Sequence, residues 1–180
     1  MIKLIILDRD GVINHDSDEY IKSEEEWEAI PGSLDAIARL NRAGYRIVVA
    51  SNQSGLARGK LDVITLNKIH RKMLTHLEQY GGKIEAVFYC PHGPDENCSC
   101  RKPQPGLLHE ISRRIRVPLY RTTFVGDSLT DIQAAQSVQA MPALVLTGYG
   151  QRSLDSGKID KSVPVFDNLA AFAEHTLDTA

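Results

Sequence analysis

The chain has 180 residues, 42% hydrophobic and 24% charged, with a formal net charge of -2, which fits one globular domain over residues 1–180 and leaves little chain for a second. That charge gives no electrostatic case for nucleic acid or an anionic membrane surface, and no apolar run is long enough for a bilayer span or an N-terminal signal core, so the protein is read as cytoplasmic. All three cysteines lie in one segment beside His92, an odd, clustered set that argues for metal over disulfides.

The run Lys3-Leu4-Ile5-Ile6-Leu7 reads as a strand buried on both faces, as in a parallel sheet. It ends in Asp8-Arg9-Asp10-Gly11. Alternation turns Asp8 and Asp10 to one side, where two carboxylates repel unless a cation or a shared proton relieves them. A hard-metal site and an N-capping turn with one exposed aspartate both satisfy this stretch. Residues 12–31 are too long for a simple strand–helix turn and predict a flap over the strand tip. The flap's run Glu24-Glu25-Glu26 is a solvated face.

Ser33 reads as the N-cap of a helix carrying Leu34, Ile37, Ala38 and Leu40, which stops at Gly44. A second buried strand, Tyr45–Ala50, leads into Ser51-Asn52-Gln53-Ser54-Gly55. Small hydroxyl and amide residues there suit a phosphate, although such residues also make ordinary turns. Asp62 caps a long helix with Ile64, Leu66, Ile69, Met73, Leu74 and Leu77 on its apolar face, ending at Gly81-Gly82. His70 and His76 on that helix have no carboxylate or cysteine nearby in sequence and read as surface or packing histidines.

A third strand, Ala86–Tyr89, runs into the loop 90–100. There Cys90-x-His92 and Cys98-x-Cys100 bracket a hydrophilic Gly/Pro turn. Three thiolates and an imidazole complete a tetrahedral zinc shell with no open position, so this zinc is structural. Arg101-Lys102-Pro103 follows at once, placed to meet an anion or simply solvated. Next come a helix with Leu107, Leu108, Ile111 and Ile115, on which His109 has no evident partner, and a fourth strand, Thr122–Val125. That strand runs into Gly126-Asp127-Ser128-Leu129-Thr130-Asp131, again carboxylates at a strand end. A further helix, a fifth strand (Ala143–Leu146), a polar loop, the segment Val163–Phe166 and an amphipathic helix from Asp167 finish the chain.

Strands alternating with helices at this spacing predict an α/β fold with a central parallel sheet and right-handed crossovers. In such a sheet Asp8/Asp10, Ser51, Lys102 and Asp127/Asp131 gather at one edge. Asp8-x-Asp10-Gly11-Val12, Ser51-Asn52, Lys102-Pro103 and Gly126-Asp127-Ser128-x-x-Asp131 resemble, in order, the four motifs of the haloacid dehalogenase (HAD) phosphatase superfamily. The resemblance covers nearly the whole chain. With the cysteine loop, these motifs are similar to the D-glycero-D-manno-heptose-1,7-bisphosphate 7-phosphatase group, a branch whose signatures histidinol-phosphate phosphatases share.

The resemblance implies a three-layer Rossmann-like fold with a short flap after strand 1, a zinc-stabilised loop and no large cap domain. It implies a magnesium-dependent phosphoric monoester hydrolase that removes the 7-phosphate of the heptose bisphosphate, in the supply of nucleotide-activated heptose for lipopolysaccharide or glycoprotein assembly. Asp8 would be the nucleophile and Asp10 the acid/base. Magnesium would sit on Asp8, the Asp10 carbonyl and Asp127. Ser51 and Lys102 would grip the transferring phosphoryl group, with Asp131 supporting Lys102. Asp16, Ser17, Asp18, Glu19, Tyr20, Ser51, Asn52, Gln53, Ser54, Arg101 and Lys102 would hold the sugar bisphosphate, and Arg101 its retained phosphate. Ser128 departs from the pattern, standing where many heptose phosphatases have lysine.

Histidinol phosphate or a broader set of sugar phosphates is the rival substrate. A phosphoacceptor receiver domain is the rival outside enzymes, and Asp10 argues against it by promoting hydrolysis. With no cap domain evident beyond the flap and zinc loop, a monomer is expected, with the small sugar bisphosphate as its partner.

Overall fold

The structure, a computed structural model, describes residues 3–179. Its centre is β1 (Lys3–Leu7). Leu4 and Ile6 pack on one side of it and Ile5 and Leu7 on the other, all essentially without solvent contact. That explains the unbroken apolar run Leu4–Leu7: both faces of the strand are covered. β2 (Tyr45–Asn52) and β4 (Thr122–Gly126) flank it in parallel. With β3 (Ala86–Cys90), β5 (Met141–Val145) and β6 (Val165–Phe166) they form a six-stranded parallel sheet in the order β3-β2-β1-β4-β5-β6.

Helices α1 (Ser33–Arg42), α2 (Val63–Gln79) and α6 (Leu169–Asp178) bury their apolar faces with Ile5, Leu7, Ile47 and Val49. On the opposite face α3 (Gly106–Ile115) and α4 (Leu129–Ser137) pack with Leu4, Ile6, Val48 and Ala50. The result is the α/β fold with a central parallel sheet expected from the alternating pattern, in the three layers that the resemblance implies. No helix among the described residues is long and apolar enough to cross a membrane.

Several local expectations are corrected. Ser33 does not cap α1; Gly32 holds that position in a left-handed conformation, and the Ser33 hydroxyl instead donates to the Val12 carbonyl at 2.9 Å. Asp62 does cap α2, accepting from the Thr65 N–H at 2.7 Å. Ile64, expected on that helix's buried face, is 68% exposed, because the apolar stripe runs through Leu66, Ile69, Met73 and Leu77. The stretch expected as a polar loop after β5 contains a short helix, α5 (Gly150–Asp155), and Val165–Phe166 completes the sheet as β6. The last helix starts at Leu169 and not at Asp167, with Asn168 as its cap accepting from the Ala171 N–H.

The segment 12–31 is rooted in the core. Val12, Ile13, Ile21, Trp27 and Ile30 are buried, and Trp27 is only 1% exposed. A side chain of that size gains about 3 kcal/mol from burial. Lys72 on α2 donates to the Glu24 and Trp27 carbonyls at 2.6 and 2.9 Å, and Asn14 pairs with Ala29 in a short bridge. Glu24, Glu25 and Glu26 are exposed, as a solvated run should be. His76 packs edge-on against the Trp27 ring. The tip of the segment, around Asp16–Ile21, reaches the C-terminal edge of the sheet.

Candidate active site

Strand order reverses between β1 and β4: the chain builds outward from β1 through β2 and β3, then restarts on the other side with β4. Open α/β sheets bind ligands in the crevice beyond the strand ends at such a point. Here a cleft of about 300 Å³ opens, and Asp8, Asp10, Ser51, Lys102 and Asp127 all line it.

Carboxylate oxygens of Asp8, Asp127 and Asp131 lie within 4.8 Å of one another. Lys102, 2% exposed, is the cation among them, with Nζ 2.6 Å from Asp131 and 3.1 Å from Asp8. It also donates to the Ala50 carbonyl at 2.9 Å. Burial opposes the lysine charge, yet the two aspartates hold it above its ordinary range. One lysine does not neutralise three carboxylates. Burial first, then the neighbouring Asp131 and Asp10 charges, push Asp8 up to about 7 despite Lys102. Burial and the same crowding raise Asp127 well above the usual carboxylate value.

Asp131 has both oxygens engaged, one by Lys102 and the other by the Ser128 hydroxyl at 2.6 Å and the Ser128 N–H at 3.1 Å. Ser128 is the N-cap of α4, so the position where a lysine is common serves here to fix Asp131. Asp8 and Asp127, unlike Asp131, line the cleft and are the carboxylates that a ligand in it meets. Buried, anionic, oxygen-only and under-neutralised, they fit a hard divalent cation.

The Asp127 carboxylate sits in a glycine-lined recess. Gly11 and Gly148 both have positive φ, and a Cβ on either would overlap Asp127 Oδ2. That oxygen accepts from the Tyr149 N–H at 2.8 Å, and the Thr147 hydroxyl donates to the Gly11 carbonyl at 2.6 Å. The loop after β5 thus docks on the turn after β1 and aims Asp127. Sequence reading passed over Thr147-Gly148-Tyr149; its signal was small and glycine residues at the end of a buried strand, as at Ser51–Gly55.

Asp10 lives in different surroundings. Arg9 reaches it with Nε and Nη2 at 2.8 to 2.9 Å, Asn14 donates at 2.9 Å, and Gln53 donates at 2.9 Å. Burial alone would raise its pKa, but the Arg9 charge and these hydrogen bonds hold it below the ordinary value. Gln53 also donates to the Ser51 hydroxyl at 2.7 Å, which ties the end of β2 to the turn after β1. Asn52 uses its amide on the Lys102 backbone, donating to the carbonyl and accepting from the N–H, both at 3.1 Å.

The flap tip contributes Asp16, Ser17, Asp18 and Tyr20 to the cleft, whereas Glu19 is exposed and does not line it. Burial and then the Asp10 charge raise Asp16 to about 6. The Tyr149 hydroxyl hydrogen-bonds to Asp18, joining the flap to the loop after β5. Ser54 and Arg101 complete the wall, and Arg101 donates to the His92 carbonyl at 3.3 Å. Tyr149 and Thr130 line the cleft without having been anticipated.

In the loop behind Arg101, Cys90 Sγ lies 3.6 Å from both His92 Nδ1 and Cys98 Sγ. Cys100 Sγ is 3.2 Å from Cys90, 3.6 Å from Cys98 and 3.3 Å from His92 Nδ1. Four ligands at metal–sulfur distance on a tetrahedron lie about 3.8 Å apart, somewhat less where one is nitrogen. All three thiols are free, and the cluster fits one tetrahedral ion.

Residues 99–172 match the HAD-hydrolase-like family. Over 99% of this chain and 100% of the relative, the sequence is 54% identical to the D-glycero-beta-D-manno-heptose-1,7-bisphosphate 7-phosphatase of Bordetella bronchiseptica. It is 50% identical to the enzyme of that name from Pseudomonas putida, over 98% and 100% of the two chains. The crystal structure of the B. bronchiseptica D,D-heptose 1,7-bisphosphate phosphatase complexed with magnesium and phosphate matches with a TM-score of 0.97 and 54% identity. That match covers 99% of this chain and 100% of the other.

Proposed function

The chain belongs to the D-glycero-beta-D-manno-heptose-1,7-bisphosphate 7-phosphatase family of HAD-like hydrolases, and we propose that it removes the 7-phosphate of that bisphosphate through an aspartyl phosphate on Asp8. The observation that carries this reading is the pairing of two unlike aspartates in one cleft. Asp8 faces Lys102 and the under-neutralised Asp127, while Asp10, two residues on, is held by Arg9, Asn14 and Gln53.

An Asp8 carboxylate oxygen attacks phosphorus in line, forming the acyl phosphate as the bond from phosphorus to the C7 oxygen breaks. That oxygen leaves with the electron pair and takes a proton from Asp10. Asp10, now ionised, removes a proton from water. The water oxygen attacks phosphorus, the bond to Asp8 breaks, and phosphate leaves with Asp10 reprotonated. Ser51 and Lys102 bind the equatorial oxygens, where positioning and charge stabilisation supply most of the acceleration. Magnesium, held by Asp8, Asp127 and the Asp10 backbone carbonyl, would neutralise charge on nucleophile and phosphoryl group. Cys90, His92, Cys98 and Cys100 would hold zinc, giving the polar loop before Arg101 the rigidity that its own side chains do not supply.

Arg101 is the cleft's remaining cation and suits the retained 1-phosphate. Asp16, Ser17, Asp18 and Tyr20, with the Ser51–Ser54 turn, offer acceptors and donors to sugar hydroxyls.

The test is magnesium-dependent phosphate release from both anomers of heptose 1,7-bisphosphate and from histidinol phosphate, with Asp8→Asn as control. Fast turnover of the beta anomer, abolished by Asp8→Asn, is expected. Preference for histidinol phosphate would overturn the substrate and keep the mechanism. A long-lived phosphoprotein without phosphate release would overturn the hydrolase.

A further inference from the structure

Arg9 is 0% exposed, and the steps given above assign its side chain no task beyond its contact with Asp10. It touches both cleft aspartates at the start of the chain. Its backbone N–H donates to Asp8 Oδ1 at 2.7 Å. Its guanidinium spreads over the Asp10 carboxylate, with Nε and Nη2 both on Oδ1 and Nη2 also on Oδ2. The far side of the fork is also occupied: Nη1 lies 3.3 Å from His70 Nε2 and Nη2 lies 3.4 Å from Gln53 Oε1. A guanidinium has only donors, so His70 Nε2 is the acceptor and its proton is on Nδ1. Burial and then the Arg9 charge push His70 down to about 4, which keeps the ring neutral as that bond requires.

We propose that Arg9, braced from behind by His70 on α2, is the positioning residue that fixes the Asp10 carboxyl in the orientation for proton transfer to the leaving oxygen. This rests on the reading of Asp10 as the acid/base. A carboxyl at the end of two rotatable bonds transfers a proton only within hydrogen-bond reach of its target. Asn14 and Gln53 hold one oxygen each by a single bond, and the Arg9 guanidinium adds three contacts that span both. A planar fork contacting both oxygens fixes the plane, which an ammonium does not do. The two buried cations of the site divide the work: Lys102 serves Asp8 and Asp131, and Arg9 serves Asp10. His70 is not among the cleft residues; its ring packs against Tyr89, and its hydrogen-bonded link to the site is Arg9.

The test compares first-turnover rates on heptose bisphosphate, whose alkoxide needs a proton to depart, with those on 4-nitrophenyl phosphate, whose phenolate does not. Arg9→Lys keeps the charge and loses the fork. Its first turnover on the sugar should slow about 100-fold, the usual cost of a misplaced group, while the burst of 4-nitrophenol stays within about 3-fold of the unmodified protein. His70→Leu should act in the same direction by about 10-fold, and His70→Gln, which restores an acceptor, should recover most of that loss. The His70 pair carries the test should Arg9→Lys fail to fold. Equal slowing on both substrates in Arg9→Lys and His70→Leu, or no recovery in His70→Gln, overturns the positioning role. Asp10→Asn separates the two readings. If it slows both substrates equally, the acid/base assignment is wrong; if it is selective and the other variants are not, only the role of Arg9 fails.

Discussion

Replacing Gly148 by alanine tests whether the loop after β5 is what aims Asp127. The residue has φ +58, and a Cβ there would overlap Asp127 Oδ2 and press on the Gly11 backbone. Gly11 has little room to retreat, since its N–H donates to the Asn14 carbonyl at 2.8 Å and its own carbonyl accepts from Thr147. The left-handed conformation costs a non-glycine residue about 1–2 kcal/mol, and forcing an extra methyl into a packed site costs about 1–3 kcal/mol. The sum is about 2–5 kcal/mol in unfolding free energy by urea titration. The cheapest relief is rotation of the Asp127 carboxylate away from the Tyr149 N–H. The magnesium concentration for half-maximal activity should then rise about 10–100-fold, as when an outer-shell partner of a metal ligand is removed. Gly157→Ala is the control: φ is +69 with nothing within 4 Å of a Cβ, so it carries only the torsional cost and leaves the magnesium dependence alone. Gly148→Ala with stability within about 0.5 kcal/mol of the parent and unchanged magnesium dependence would refute the reasoning.

Elemental analysis of the purified protein should find one zinc per chain, and Cys100→Ser should abolish it. Lys102 keeps its contacts to Asp8, Asp131 and Ala50, whereas Arg101 is tied only to the His92 carbonyl within that loop. KM for the bisphosphate should therefore rise about 10-fold with kcat within about 3-fold; a loss confined to kcat would contradict this. His70 gives a pH signature in stability. Its folded-state pKa, about 4, lies below the ordinary 6.5. Between those values the unfolded chain binds the proton and the folded one does not, so this contribution is intact above about pH 6.5 and is lost as the pH falls toward 4. The loss between pH 7.5 and 5 is about 2 kcal/mol from this group. His70→Gln should flatten the urea-measured stability by that amount relative to the parent, and parallel curves for the two proteins would sink the assignment.

What the sequence made legible is what strand period and ligand type determine locally. A polar-free run reads as a doubly covered strand, so the tips of β1, β2 and β4 and their aspartates and serine could be placed at one edge. The cysteine loop was legible because thiolate and imidazole at close spacing have few other uses. Arg9 was invisible for the opposite reason. It stands between two aspartates that claimed the notice, and its partner His70 is 61 positions away on α2. Nothing in the spacing of α2 separates a histidine that packs from one that braces a buried arginine. Tyr149 and the recess around Asp127 depend on the docking of one loop against another, which no local pattern encodes. Ser33 shows the same limit at small scale: a residue type with the right propensity, whose hydroxyl tertiary structure recruited for the Val12 carbonyl instead.

The two aspartates two residues apart carry opposite perturbations, and taken at face value they are the wrong way round. Asp8, the proposed nucleophile, is raised to about 7, and Asp10, the proposed proton donor, is lowered. A nucleophile must be ionised and a donor must hold its proton. Both shifts have causes that the loaded site reverses. Asp8 is raised by burial among Asp131 and Asp10 with too few cations, and a divalent cation on Asp8 and Asp127 removes that excess and favours the ionised form. Asp10 is lowered by the Arg9 charge and the hydrogen bonds from Asn14, Arg9 and Gln53, and a phosphoryl group entering the cleft would add negative charge beside it and raise its affinity for a proton. On the proposed mechanism Asp10 starts in the form opposite to its role and Asp8 is only partly in the form it needs, so metal and substrate together would favour phosphoryl transfer to Asp8. The hydrolytic half then needs Asp10 ionised, and the state Arg9 favours once the sugar has left is the state that deprotonates water.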